Sequence, residues 1–280
     1  MTILFGTAGI PLSCPGRDSL AGIAFVHKLG LGAFEFEFVH AARMAKQKAA
    51  ECGNAAKENG VVLSAHAPYY INLCSEEPEK VAASKKRILD TARILENAGG
   101  GRVVVHSGYY GKLDRKRAFE TVREGYLDVL DAMRKESIKK AVLAPETTGK
   151  PSAFGSLGEL YGLASELGFE RFKPTIDFAH LHARANGALK TRKDFDAVFE
   201  TVAATVGKKG LSQLHCHFAG IQYSAKGELR HLTIDAQSPR FGLLAQSLVD
   251  NSCAGTVISE SPNIEKDALL MKREYEKALG

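Results

Sequence analysis

The chain has 280 residues, 45% of them hydrophobic and 25% charged, a balance that supplies a full core and excludes a disordered tail. Its apolar runs are broken by Gly, Lys or Glu before they reach membrane-spanning length and no basic leader opens the chain, so a cytoplasmic protein is expected. A net charge of +5 suits a polyanionic partner without requiring one, and five scattered cysteines with no CxxC pair argue against a disulfide framework or a cysteine zinc cluster.

Eight short apolar runs read as strands: Ile3–Gly6, Ala33–Phe38, Val61–Ala65, Arg102–His106, Ala141–Pro145, Lys173–Asp177, Gln213–His217 and Thr256–Glu260. Between them lie amphipathic patterns that predict helices, among them Glu79–Asn97, Arg117–Lys135, Leu157–Leu167 and Asp194–Val206. Gly30, Gly60 and Gly99–Gly101 stand where left-handed caps would end helices before the next strand. No linker divides the chain, and no GxGxxG turn follows the first strand. Eight βα units in that arrangement predict one (β/α)₈ TIM barrel over residues 1–280 rather than a doubly wound sheet.

In such a barrel, reactive groups come from the C-terminal ends of the strands. Those ends read SAHAPYY, VVVHSG, LAPET, PTIDFAH, LHCHF and VISESP, and they carry His66, His106, Glu146, Asp177, His180, His217 and Glu260. Taken singly, each has a structural explanation as a hydrogen-bonded histidine or a helix-capping acid. Taken together, three carboxylates gathered at one mouth would repel one another unless cations sat between them, and a set of imidazoles and carboxylates without thiolates suits Zn²⁺ or Mn²⁺.

The phrases SAHAPYYINL, VVVHSG, APETTGK, PTIDFAH and ISESP, in that order from the third strand to the eighth, resemble the endonuclease IV family of apurinic/apyrimidinic endonucleases. The resemblance implies a (β/α)₈ barrel of a family that uses three zinc ions, two to three expected here, to cut double-stranded DNA on the 5′ side of an abasic site. Position by position it implies that His66 and His106 hold a first zinc, with Glu146 bridging to a second. Asp177, the strand-seven histidine and Glu260 would complete that second site, and His180 and His231 would hold a third ion. Glu146 and Glu260 would keep hydroxide and metals in line, Tyr69 would lie against the DNA near the lesion, and the protein would act as a monomer.

Three places depart from the family pattern, one of them the first strand's loop, GTAGIPLSCPGRDS. Where an aspartate is expected two residues before His231 this chain has Leu229; Glu228 is either its substitute or a solvated loop charge. The segment EFEFVHAAR lacks the basic insertion of the family's second loop, and Arg43 there reads as a helix-surface residue. On the seventh strand His215 and His217 share a face, so spacing leaves both open, but His217 is nearer the mouth and is expected to be the ligand. Lys208, Lys209, Lys226 and Arg230 are further candidates for phosphate contact. A rival reading keeps the barrel but makes it a sugar or keto-acid isomerase or epimerase with one divalent metal on Glu146, Asp177, His217 and Glu260; a barrel that binds damaged DNA without cutting it is a third.

Overall fold

The computed structural model describes residues 2–280. Eight parallel strands form the ring: β1 (Ile3–Ala8), β2 (Ala33–Glu37), β3 (Val62–His66), β4 (Gly101–Val105), β5 (Ala141–Pro145), β6 (Ile176–Asp177), β7 (Leu214–Phe218) and, last in the chain, β10 (Gly255–Ser259). Their lateral order is β5-β4-β3-β2-β1-β10-β7-β6, and parallel bridges Leu143–Phe172 and Glu146–Thr175 close the circle between β5 and β6. The helices outside it are α1 (Ser19–Lys28), α2 (Lys46–Asn59), α3 (Pro78–Asn97), α4 (Arg115–Lys135), α5 (Leu157–Leu167), α6 (Phe178–Arg184), α7 (Arg192–Val206), α8 (Phe241–Asp250) and α9 (Glu265–Leu279). This is the TIM barrel that the alternation of strand and helix patterns predicts.

Two expectations need correction. The sixth strand is shorter than Lys173–Asp177, because Pro174 offers no N–H to a ladder and the preceding segment makes only isolated bridges to β5. The segment after β7 is not an open loop: β8 (Gly220–Ser224) and β9 (Gly227–Leu232) pair as an antiparallel hairpin standing on the barrel mouth.

The main core lies between strands and helices. On β2 the alternation is visible in three residues: Phe34 and Phe36 join that core, whereas Glu35 points into the barrel lumen toward His215 and His217. Gly30 and Gly60 have φ of 74° and 64°, as the capping pattern predicts. All five cysteines are free, and among the described residues no helix is long and apolar enough to cross a membrane.

Candidate metal centre

The barrel brings the six strand-end positions to one mouth. His66 ends β3, His106 follows β4, Glu146 follows β5, Asp177 ends β6, His217 is the fourth residue of β7, and Glu260 follows β10. The DxxH spacing of PTIDFAH has a local cause: Asp177 caps α6, accepting the His180 backbone N–H on Oδ1 at 2.6 Å. Because Ncap and N3 face each other across the first turn, the capping bond also delivers the His180 imidazole to the mouth. Asp177 Oδ2, the oxygen left over, is buried without a hydrogen-bond partner among the described residues.

Glu146 is the hub. One of its oxygens lies 3.2 Å from His66 Nε2 and 2.6 Å from His106 Nε2; the other lies 3.0 Å from His217 Nδ1 and 3.5 Å from His180 Nδ1. His217 Nδ1 is also 2.9 Å from Glu260 Oε1. Spacing had left His215 and His217 both open; the structure gathers His217 with Glu146, Asp177 and Glu260, while His215 sits one layer lower with Glu35.

The ring nitrogens are sorted. His66 Nδ1 faces the Ala67 carbonyl at 2.8 Å, His180 Nδ1 the Thr147 carbonyl at 2.9 Å, and His231 Nδ1 the Glu260 carbonyl at 3.2 Å. Each carbonyl can only accept, so each Nδ1 carries a proton, and Nε2 is the nitrogen turned to the mouth, free to offer a lone pair to a cation once any proton on it is displaced. His180 Nε2 and His231 Nε2 then face each other at 3.3 Å. Two lone pairs at that distance call for a cation or a proton between them.

The hairpin brings a further carboxylate to His180. Tyr223 pairs with Glu228, Gln222 with Arg230 and Ile221 with His231, so Leu229 is an extra residue in a β-bulge. In an unbroken strand, residues three apart face opposite ways; the bulge puts Glu228 and His231 on the same face, toward α6. Glu228 Oε2 lies 3.2 Å from His180 Nε2, and Leu229 is turned out, 60% exposed. Room for the carboxylate comes from Gly149, where a β-carbon would collide with Glu228.

The donor set fits divalent cations by its charge. Burial raises the Asp177 carboxyl, and Glu260 and Glu146 add to it against His180, pushing it up to about 6. Burial alone would also raise Glu146, but His106 and His217 outweigh it and hold that carboxyl well below its ordinary range. His66 is pushed up to about 10, its Glu146 bond overcoming burial, and Asp177 with Glu146 likewise holds His180 well above its ordinary value. With no cation the cluster must therefore retain protons, and cation binding would displace them.

A family model for xylose isomerase-like TIM barrels matches residues 23–276. The chain belongs to that family. A relative of uncharacterised function from Methanocaldococcus jannaschii is 37% identical over 98% of this chain and 97% of its own. A probable endonuclease 4 of Akkermansia muciniphila is 25% identical over 79% of each. Among solved structures, endonuclease IV from Thermus thermophilus superposes with a TM-score of 0.72 at 22% identity, covering 98% of both chains. A D-tagatose 3-epimerase-like protein reaches 0.71 at 17% identity over 99% of this chain and 97% of that one. At these identities the superpositions speak for the fold that the family shares.

Within that fold the mouth is a cavity of about 570 Å³ lined by His66, His106, His180, His231 and Glu260 and by Glu37, Tyr69, Tyr109, Lys150, Glu228 and Arg230. Tyr69 packs its ring 5.5 Å from that of His66 and stays 56% exposed, with Tyr70 and Tyr109 exposed beside it. Arg230 lies at this rim, but Lys208 and Lys209 precede β7 and so sit at the opposite end of the barrel. Arg43 lies in the coil before α2, not on a helix surface. Sequence reading missed Glu35, Glu37, Tyr109 and Lys150. The two glutamates had a signal, since EFEF on a strand buried on both faces must turn either the acids or the aromatics into the barrel.

Proposed function

We propose that the protein is a zinc-dependent apurinic/apyrimidinic endonuclease. It would cleave double-stranded DNA on the 5′ side of an abasic site, leaving a 3′-hydroxyl and a 5′-deoxyribose phosphate, and act as a cytoplasmic monomer. What carries the reading is the surplus of imidazoles: beyond Glu146, Asp177, His217 and Glu260, the mouth holds two further groups of donors. His66 and His106 meet Glu146, and His180 meets His231 and Glu228. An assignment of two to three Zn²⁺ follows, Mn²⁺ suiting the same donors, with His66, His106 and Glu146 at the first, Glu146, Asp177, His217 and Glu260 at the second, and His180, His231 and Glu228 at the third.

The bound cations would supply activation of water for attack at phosphorus and offset charge on the leaving 3′ oxygen. The side chains do the positioning. Glu146 spans two groups of donors with its two oxygens, and Glu260 reaches His217 with one oxygen and lies 3.6 Å from His231 Nδ1 with the other, so both acids tie the sites into one frame. In the metal-free protein burial pushes the Glu37 carboxyl well above its ordinary range, and Glu35 and Glu260 add to this against His66. Tyr69 and Tyr109 offer exposed rings to an unstacked nucleotide, and Lys150 and Arg230 offer charge to the backbone.

One observation favours a second reading. Glu146, Asp177, His217 and Glu260 are a complete ligand set by themselves, as a one-metal sugar or keto-acid isomerase or epimerase would need, with Glu146 and Glu260 as the acid/base pair. One experiment separates the two: a duplex carrying a single abasic analogue is incubated with protein before and after prolonged chelation, with metal content measured in parallel. A 5′ nick that chelation abolishes, two to three zinc per chain and a steep loss of cleavage with salt are expected. An intact duplex with fully metallated protein would sink the nuclease reading.

A further inference from the structure

Three of the imidazoles at the mouth are oriented by backbone carbonyls; His217 is not. It lies on β7, where neighbouring carbonyls are engaged in the sheet ladder, and it is fully buried. Its Nε2 faces Glu35, whose Oε1 is 3.0 Å away, and neither atom has a hydrogen-bond partner elsewhere among the described residues. The approach is off the line of the N–H, so the contact is a close ion-pair rather than an aligned hydrogen bond. Strands β1 and β10 separate β2 from β7, so Glu35 reaches His217 across the barrel lumen. Barrel interiors are normally filled with branched apolar side chains, and a fully buried carboxylate there is costly unless it is paired.

Glu35 is itself anchored. His215 Nε2 donates to its second oxygen at 2.9 Å, and His215 Nδ1 accepts the Thr256 hydroxyl. The chain Thr256, His215, Glu35, His217 therefore runs from the barrel floor to the mouth. Each link has a definite sense, because the Thr256 hydroxyl must donate for His215 Nε2 to keep its proton. The same three residues, Glu35, His215 and His217, are close enough to hold an ion of their own. That would require His215 and His217 both to surrender their Nε2 protons.

We infer that Glu35 is a positioning residue: it holds the proton of His217 on Nε2 and so directs the Nδ1 lone pair at the cation shared with Glu146, Asp177 and Glu260, while His215 and Thr256 hold Glu35. The inference rests on the metal reading of the mouth but not on the choice of substrate. A carboxylate behind a ligating imidazole fixes its tautomer and raises its basicity, and losing such a partner typically lowers metal affinity by about 10- to 100-fold.

The test uses the full chain. Zinc affinity and stoichiometry are measured by equilibrium dialysis against a competing chelator, and histidine tautomers by long-range ¹H–¹⁵N correlation in the zinc-loaded protein. His217 is expected as the Nε2–H tautomer. Glu35→Gln keeps the shape, but its amide can accept from only one imidazole and must donate to the other. It is expected to weaken one zinc per chain by about 10- to 100-fold while the others keep wild-type affinity. His215→Phe, which frees Glu35 but keeps ring volume, is expected to weaken the same zinc by less than Glu35→Gln does. Should Glu35→Gln fail to fold, His215→Phe and the wild-type tautomer carry the test. Wild-type affinity in both variants, an Nδ1–H tautomer for His217, or an extra zinc ligated through His217 Nε2 would overturn the inference. If zinc binds and Glu35→Gln weakens it, but an abasic duplex is left whole, the inference stands and the nuclease reading falls; a wild type that binds no divalent cation ends both.

Discussion

The mouth is built from two unlike halves. One is framed by the barrel itself: His66, His106, Glu146, Asp177, His217 and Glu260 leave strand ends whose mutual positions are locked by the parallel ladder. The other hangs on the β8–β9 hairpin, which contributes Glu228 and His231 and meets the barrel at α6 and through the Glu228 N–H bond to the Gly149 carbonyl. In the first half a ligand can move only with its strand. In the second, one bulged residue changes which side chain faces the site, and Glu228 stands where a residue at Leu229 would serve in a regular strand. The ring thus supplies donors in fixed positions, and the hairpin donors whose placement a single bulge can change.

The sharpest way to break that contrast is in the frame. Glu146→Gln should cost the first two ions together and reduce cleavage by about a thousandfold, since metal-assisted charge stabilisation is worth several kcal/mol and each ~1.4 kcal/mol is tenfold. Single-turnover cleavage with metal analysis checks it; loss of only one ion would show that Glu146 does not bridge. On the hairpin, Glu228→Ala should remove one ion of three and slow cleavage by about 10- to 100-fold while the pair on Glu146 keeps its affinity. Gly149→Ala, which removes no ligand, should reproduce that phenotype by displacing the Glu228 carboxylate. A Gly149→Ala protein with all its ions would separate Glu228 from the site.

Smaller effects are expected at the rim and from protons. Tyr69→Ala should weaken binding of an abasic duplex by ~1–3 kcal/mol, the range for a base stacked on an aromatic ring, and leave metal content unchanged. The pH dependence follows from His66 and Glu260. His66 is raised from 6.5 to about 10 in the metal-free protein, so its contribution to stability is complete below pH 6.5 and is lost as pH rises through 10. Glu260, depressed from 4.5 to about 2 by His217 despite burial, contributes above pH 4.5 and loses its contribution as pH falls through 2. Melting temperatures of metal-free protein should fall between pH 6.5 and 10, and zinc should flatten that slope; equal slopes with and without zinc would show that His66 is not a ligand.

Much of this was readable from residues alone. Alternating apolar runs and amphipathic segments, with glycines at the caps, specify eight βα units because strand and helix periods differ and are local properties of the chain. The strand-end acids and histidines were legible for the same reason, since a barrel sends the end of every strand to one mouth. Glu35 escaped notice although EFEF announced it, because a strand pattern does not say which alternate residues face the lumen until the ring closes. The role open to Glu228 escaped a decision too: whether it meets His180 depends on a bulge at Leu229 and on the space left by Gly149, which lies 79 residues away in sequence.

Local pattern therefore determined the fold, the mouth and the list of donors. Tertiary structure decided which β7 histidine meets Glu146, Asp177 and Glu260, which ring nitrogen faces the mouth, and the partnership of Glu35 with His217 across the lumen. Those are properties of pairs of groups distant in sequence, whose distance and angle exist only once the ring is closed.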